Sequence, residues 1–259
     1  MLHSIAAQYA EPLFWLFPVT TTLLAAFSFV VFALPLTWIA GRDVAWARPY
    51  RLQSRRLRAQ QLLGASVRSW AVNNLCLLAG IVALWPVLSL SAIHAGPIPP
   101  WYGIVAQLVS FVYLDDFLFY WMHRAMHGQW LYKRIHSWHH RIVTPWAITG
   151  NFMHPLEYAL TGSCALIGPL LLGSHVVVVW VWFVYRQWEA AEGHCGYEFP
   201  WSPTHLLPFN DGAAHHDAHH AKVRGNYAGF LPLWDGVFGT YARGYAEALA
   251  ARRTARARA

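Results

Sequence analysis

Charge is what this sequence has least of. Only 12% of its 259 residues are Asp, Glu, Lys or Arg, against about 25% in an ordinary globular domain. Acids are scarcest: twelve, fewer than the fifteen histidines. With 56% hydrophobic and 16% aromatic residues, the composition excludes a disordered chain and a coiled coil and argues against a soluble two-domain enzyme. Cysteine is also sparse. Cys76, Cys164 and Cys195 form no CxxC pair, so neither a disulfide scaffold nor a thiolate zinc site can be built. No GxGxxG and no CxxCH occurs, which leaves the chain without a dinucleotide-binding fingerprint or a c-type haem attachment. No Gly/Ser linker or internal repeat interrupts it, so one domain over 1–259 is expected. The opening MLHSIAAQYAEP has no basic region ahead of its apolar run, and the first apolar span is expected to stay.

What is present divides into apolar stretches and basic blocks. Residues 12–41 carry no charge and exceed the roughly 20 residues that cross a bilayer. Residues 69–114 lack charge too, and the Gly96-Pro97-Ile98-Pro99-Pro100 break divides them into helices near 70–92 and 101–122. The net charge of +7 gathers in the 41–69 loop (Arg42, Arg48, Arg51, Arg55, Arg56, Arg58, Arg68) and in the 246–259 tail (Arg252, Arg253, Arg256, Arg258). That distribution reads as juxtamembrane rather than as a nucleic-acid footprint, and it places the loop in the cytoplasm. Three spans then bring the chain to the cytoplasmic face where the histidines begin.

Thirteen of the fifteen histidines lie between His123 and His220. His123-Arg-Ala-Met-His127 sets two imidazoles one helical turn apart, and His136-Ser-Trp-His139-His140 sets three on one face. His215-His216-Asp217-Ala218-His219-His220 repeats the second pattern with one extra histidine, so spacing leaves the register open between His215 and His216. His154 and His194 are single additions, His205 is ambiguous, and His3, His94 and His175 have no sequence partners. Neutral imidazoles at this spacing point to metal, and about ten exceed the four that one tetrahedral zinc uses, which predicts two ions. HRAMH lacks the glutamate of HExxH, against a zinc hydrolase. A membrane metal transporter is the alternative of another class, but it would hold its ligands mid-bilayer rather than beyond the spans. One site can collect both the early and the late clusters only if uncharged 158–185 is a helical hairpin that enters and leaves on the cytoplasmic side. Breaks are expected at Gly168-Pro169 and Gly173-Ser174. Residues 186–245 then form a His-rich cap. Asp116, which shares a face with Tyr120 and His123, is a candidate acceptor for a ligand's N–H, or else a partner of Arg124 or Lys133; Glu157, Glu189 and Glu192 are similar candidates.

The run Asp116-Phe-Leu-Phe-Tyr-Trp-Met-His-Arg-Ala-Met-His127, followed by Leu131-Tyr-Lys-Arg-Ile-His-Ser-Trp-His-His140, resembles the fatty acid hydroxylase/sterol desaturase superfamily, whose signature is HxxxH, HxxHH and HxxHH. His154-Pro-Leu-Glu157, the Glu192–Pro203 stretch, His216-Asp-Ala-His-His220 and Trp234-Asp-Gly-Val-Phe-Gly-Thr240 are similar to its C-4 methylsterol oxidase branch, and the resemblance spans about 110–241. It implies an all-α integral membrane enzyme with a non-haem di-iron site. Carried over residue by residue, the ligands are His123, His127, His136, His139, His140, His154, His194, His216, His219 and His220, with Asp116, Glu157 and Glu192 behind them. The family's HDxHH favours His216 over His215. Ala190 stands where the fatty acid 2-hydroxylase branch has a histidine, and His154 is expected to fill that vacancy. The resemblance further implies O2-dependent hydroxylation of a hydrophobic lipid, foremost a sterol C-4 methyl, with fatty acyl or isoprenoid hydroxylation or desaturation as alternatives. Iron is the expected working metal, and zinc is an expected substitute in purified protein. With no redox cofactor motif of its own, the chain needs electrons from NAD(P)H through a partner such as cytochrome b5 or a ferredoxin. The expected location is the endoplasmic reticulum in a eukaryote or the inner membrane in a bacterium.

Overall fold

The computed structural model describes residues 5–53 and 59–258, and among these it is helical without a strand. Arg55, Arg56, Arg58 and His3, weighed above, lie outside the described residues. Three helices are long and apolar enough to cross a membrane: α1 (Pro12–Arg42), α2 (within Ala59–Leu88) and α3 (Trp101–Met126). Their outer faces present side chains such as Leu23, Phe27, Leu34, Leu75 and Val105, which suits a lipid surround. Pro18, which lacks an N–H, sits in a widened π turn at Trp15–Val19. Helix α2 starts eleven residues before the expected 70, because the polar stretch ahead of the apolar run continues the helix.

Short α4 (Gln129–Arg134) leads into a tight 3-10 turn over His136–Arg141 and a second over Ala147–Asn151. The second turn is held at the ends of the long helices. Thr37 Oγ1 accepts from the Ile148 N–H, and Ser69 and Asn73 donate to the Met153 carbonyl. The hairpin follows as α5 (Pro155–Leu171) and α6 (Val176–Gly193). It breaks at Gly173-Ser174, whereas Gly168-Pro169 lies inside α5. Gly173 has φ +53°, and a Cβ there would stand 2.8 Å from the Ala92 side chain, so the turn needs glycine.

That turn touches the α2–α3 loop, at the end of the molecule remote from the histidine motifs. The His94 N–H donates to the Ser174 carbonyl, the Val176 N–H donates to the His94 carbonyl, and His175 Nε2 donates to the Gly96 carbonyl. His94 and His175, which lacked partners in the sequence, thus meet there. At 1.5 Å per residue, α5 and α6 are each about 26 Å long. The hairpin therefore traverses the same depth as the long helices and returns to the side it left, packed along α1 and α3. The cap comprises α7 (Ala213–Lys222), α8 (Pro232–Phe238) and α9 (Tyr245–Arg258).

Candidate metal centre

Nine of the ten expected histidines converge at one end of the helix bundle, in two adjoining groups: His123, His127, His136, His140 and His219; and His139, His194, His216 and His220. Within each group the candidate ligand atoms all lie within 4.8 Å of one another. Helix α3 carries His123 and His127, the 3-10 turn carries His136, His139 and His140, α7 carries the last three, and His194 caps α6. Each HxxHH motif divides between the groups. The i, i+4 pairs His136/His140 and His216/His220 stay together, while His139 and His219 cross to the other group. The groups lie side by side, with ring centroids of His219 and His220 5.9 Å apart.

Protonation is fixed from behind. The Nδ1 atoms of His123, His219 and His220 each lie 2.7 Å from a carbonyl, of Tyr227, Gly225 and Ile142 respectively. His194 Nδ1 lies 2.8 Å from the Ala190 carbonyl, and His136 Nδ1 2.6 Å from Glu157 Oε1. Carbonyls and carboxylates only accept, so these Nδ1 atoms carry the proton and the Nε2 lone pairs are bare. Bare Nε2 atoms of His123 and His136 then face each other at 3.1 Å, with no proton between them. His220 Nε2 is buried and unpartnered. Lone pairs at this separation repel unless a cation lies among them. A metal–nitrogen bond of about 2.1 Å separates right-angled ligands by about 3 Å, which matches. Burial also keeps the rings neutral: it pulls the His127 pKa down to about 3 and that of His194 to about 4, and it pushes His139, His140, His216, His219 and His220 well below the ordinary imidazole value. The residues present fit a pair of imidazole-bound transition-metal ions.

His154 lies apart from both groups. It occupies the N-cap of α5, where its Nδ1 accepts from the Leu156 N–H and its ring lies on Trp138, 5.0 Å between centroids. In this conformation His154 joins neither group, and among the described residues no further histidine stands in place of one at Ala190. His215 points away as well, its Nε2 3.2 Å from Asp235, which sets the register at His216. His205 bonds Glu198 and the Phe199 carbonyl. Of the supporting acids, Glu157 meets His136 directly. Asp116 touches no histidine: its Oδ1 accepts from the Gly229 and Phe230 N–H groups and so pins the loop whose Tyr227 carbonyl holds His123. Glu192 bonds Ser202 and Thr204 instead, because two residues before His194 is the opposite side of a helix.

Sequence reading missed two features. The carbonyl acceptors have no side-chain signature. Asp115 pairs at 2.5 Å with Arg186 of α6, both buried, and the only signal was the rarity of charge at that depth.

A cavity of about 310 Å³ leads from the histidines along α2 between the helices. His123, His136, His139, His194 and His216 line its inner end, and Phe119, Met122, Met153 and Phe183 are among its apolar lining. Asn151 lines the inner end too, with a buried Nδ2 that has no partner. The candidate ligands thus face an apolar chamber at one end of the bundle, not a polar path halfway through it.

Comparison with known proteins places this geometry in context. The model of the Fatty acid hydroxylase family matches residues 108–240. Methylsterol monooxygenase 2-1 of Arabidopsis thaliana is 32% identical over 242 residues, covering 87% of this chain and 88% of that protein. Methylsterol monooxygenase 2-2 of the same plant is 40% identical over 164 residues, 62% of each chain. A very-long-chain aldehyde decarbonylase of Oryza sativa, GL1-11, is 44% identical over 147 residues, 56% of this chain and 55% of that one. The last two matches thus span less than two thirds of those relatives. No solved structure matches.

Proposed function

Because the chain belongs to the fatty acid hydroxylase family, we propose that it is an O2-dependent membrane monooxygenase that hydroxylates a hydrophobic lipid, foremost a C-4 methyl of a sterol. The observation that carries this reading is the pair of imidazole groups beside an apolar cavity between helices long and apolar enough to cross a membrane. His123, His127, His136, His140 and His219 would hold one iron, and His139, His194, His216 and His220 the other. Bound iron supplies reductive activation of O2 for insertion into an unactivated C–H bond.

The chain's own residues prepare that chemistry. Backbone carbonyls and Glu157 keep the Nδ1 protons in place, so the rings present Nε2 without reorganisation. Phe119, Met122, Met153 and Phe230 give the cavity an apolar wall beside the histidines, which would keep water away from the reacting centre. Asn151 Nδ2 offers a hydrogen bond to an oxygen on the lipid.

Electrons come from an acidic one-electron carrier such as cytochrome b5 or a ferredoxin, fed by NAD(P)H. The charge distribution supports this. Of the twelve acids only Glu11 and Glu247 are exposed, whereas Lys133, Arg134, Arg141, Lys222 and Arg224 are exposed on the segments that carry the histidines. His127 is the half-buried member of the groups, and Arg224 is near enough to act on it. The same side bears the Arg-rich end of α1, which the positive-inside rule puts in the cytoplasm.

The test is expression in a host deprived of its own methylsterol oxidase, with sterols followed by mass spectrometry and metal counted in the purified protein. Restored C-4 methyl oxidation that needs O2, with two irons per chain, is the expected result. Oxidised fatty acyl chains or a shortened aldehyde in place of sterol products would move the substrate to the alternatives, the latter in line with the rice relative's name.

A further inference from the structure

The cavity has a second end, and its wall there is incomplete. Along α2 its lining runs from Asn73 to Leu88, a stretch of about 22 Å of helix. Helix α5 lies alongside. Near the histidines the two helices are tied by Tyr158 Oη, which donates to Asn74 Oδ1 at 3.2 Å. At the remote end they are closed by buried Trp85 with Leu166 and Leu170 packed against its cluster. Between these two closures the facing residues are small: Cys76 and Gly80 on α2, Gly162 and Ser163 on α5.

Glycine in a helix interface commonly serves close packing, and Gly168 of α5 does so, since a Cβ there would stand 2.7 Å from Phe111. Gly80 and Gly162 are the opposite case. A Cβ at either would meet nothing within 4 Å. Cys76, Gly80, Leu84 and Ser163 line the cavity and are also exposed, within or beside a segment long and apolar enough to lie in a bilayer. The lack of side chains leaves a gap rather than a contact, and the gap faces where lipid lies.

We propose that the α2–α5 seam at Cys76, Gly80, Gly162 and Ser163 is a lateral doorway through which an elongated apolar lipid passes from the bilayer to the histidine groups. The proposal rests on the reading of the cavity as the lipid site. A water-side route would need a polar mouth, whereas this seam is bordered by Leu77, Ile81, Leu84 and Leu166. The length of the lined path suits a molecule with a rigid ring system or a long chain, entering sideways and sliding inward.

The test uses the full chain in membranes, with a photoactivatable cholesterol analogue and a photoactivatable palmitate as probes. Gly80→Trp and Gly162→Trp fill the gap. Probe capture inside the cavity and lipid oxidation should both fall about tenfold or more, the scale at which apolar bulk in a pocket excludes a ligand, while metal content stays at the wild-type value. Leu75→Trp adds the same bulk to an exposed position of α2 outside the cavity lining and should behave as wild type. Should the tryptophan variants fold poorly, alkylation of Cys76 on folded wild-type protein with a bulky maleimide gives the same block, and Cys76→Ala should abolish its effect; Cys164 and Cys195 are buried. Capture and oxidation at wild-type rates in the filled variants would overturn the doorway. Probe capture that is lost in the filled variants, in a protein that oxidises no lipid at all, would uphold the doorway and overturn the catalytic reading.

Discussion

At residue scale, His139 and His219 are the informative pair, because each sits in one motif and serves the other group. His139→Ala should cost the second group a quarter of its imidazoles and His219→Ala the first group a fifth. Each variant should bind fewer than two irons by elemental analysis and lose lipid oxidation, and full activity in either would contradict a shared dinuclear site. Glu157→Gln keeps a polar group near His136 but no longer a charged acceptor, and iron affinity should fall about 10- to 100-fold in a chelator competition. The depressed imidazoles also set a pH dependence. Unfolded histidine takes its proton near 6.5, whereas folded His127 and His194 wait until about 3 and about 4. Between those values the unfolded state binds more protons, so the metal-free protein should lose stability as pH falls below about 6.5. Chemical denaturation of the metal-free protein near pH 7.5 and pH 5 measures this, and equal stability would refute it. The histidine types and spacings were legible in sequence because ligands must be side chains of a few kinds. Their proton-fixing carbonyls were not, since every residue has one.

At the scale of elements, the decisive pieces are short. Gly173 turns the hairpin with positive φ against Ala92, so Gly173→Val should cost about 1–3 kcal/mol in thermal unfolding from backbone strain, with the overlap adding to it. His154 caps α5, and His154→Ala should cost about 1 kcal/mol of stability yet leave the iron count unchanged, the opposite of a ligand's behaviour. The long helices were legible from uncharged runs, and their ends were displaced only where polar residues continued a helix. The 136–141 segment was read as α-helix from its i, i+3, i+4 spacing but forms a 3-10 turn. That tighter winding aims His139 apart from His136 and His140, which is how one motif feeds two groups.

At the scale of the whole molecule, most acids lie inside and most of the described bases, Arg186 apart, lie outside. Exposed Lys222 and Arg224 therefore stand with few counter-charges, and Lys222→Glu with Arg224→Glu should slow reduction by an acidic carrier, with a weakened dependence on salt in stopped-flow measurements. An unchanged rate would place the carrier elsewhere. The sequence by itself determined the membrane character, the count of long spans, the histidine set that could hold metal and the hairpin's return to its starting side, because hydropathy, composition and ligand chemistry are properties of residues and their order. Tertiary structure decided which histidine joins which group, set His154 apart from both, paired Asp115 with Arg186, carried the hairpin to the remote loop and left the α2–α5 seam open. Those outcomes depend on where a side chain points once its neighbours are packed. Residues as distant as His127 and His219 have no mutual signal until the fold brings their nitrogens to 3.2 Å.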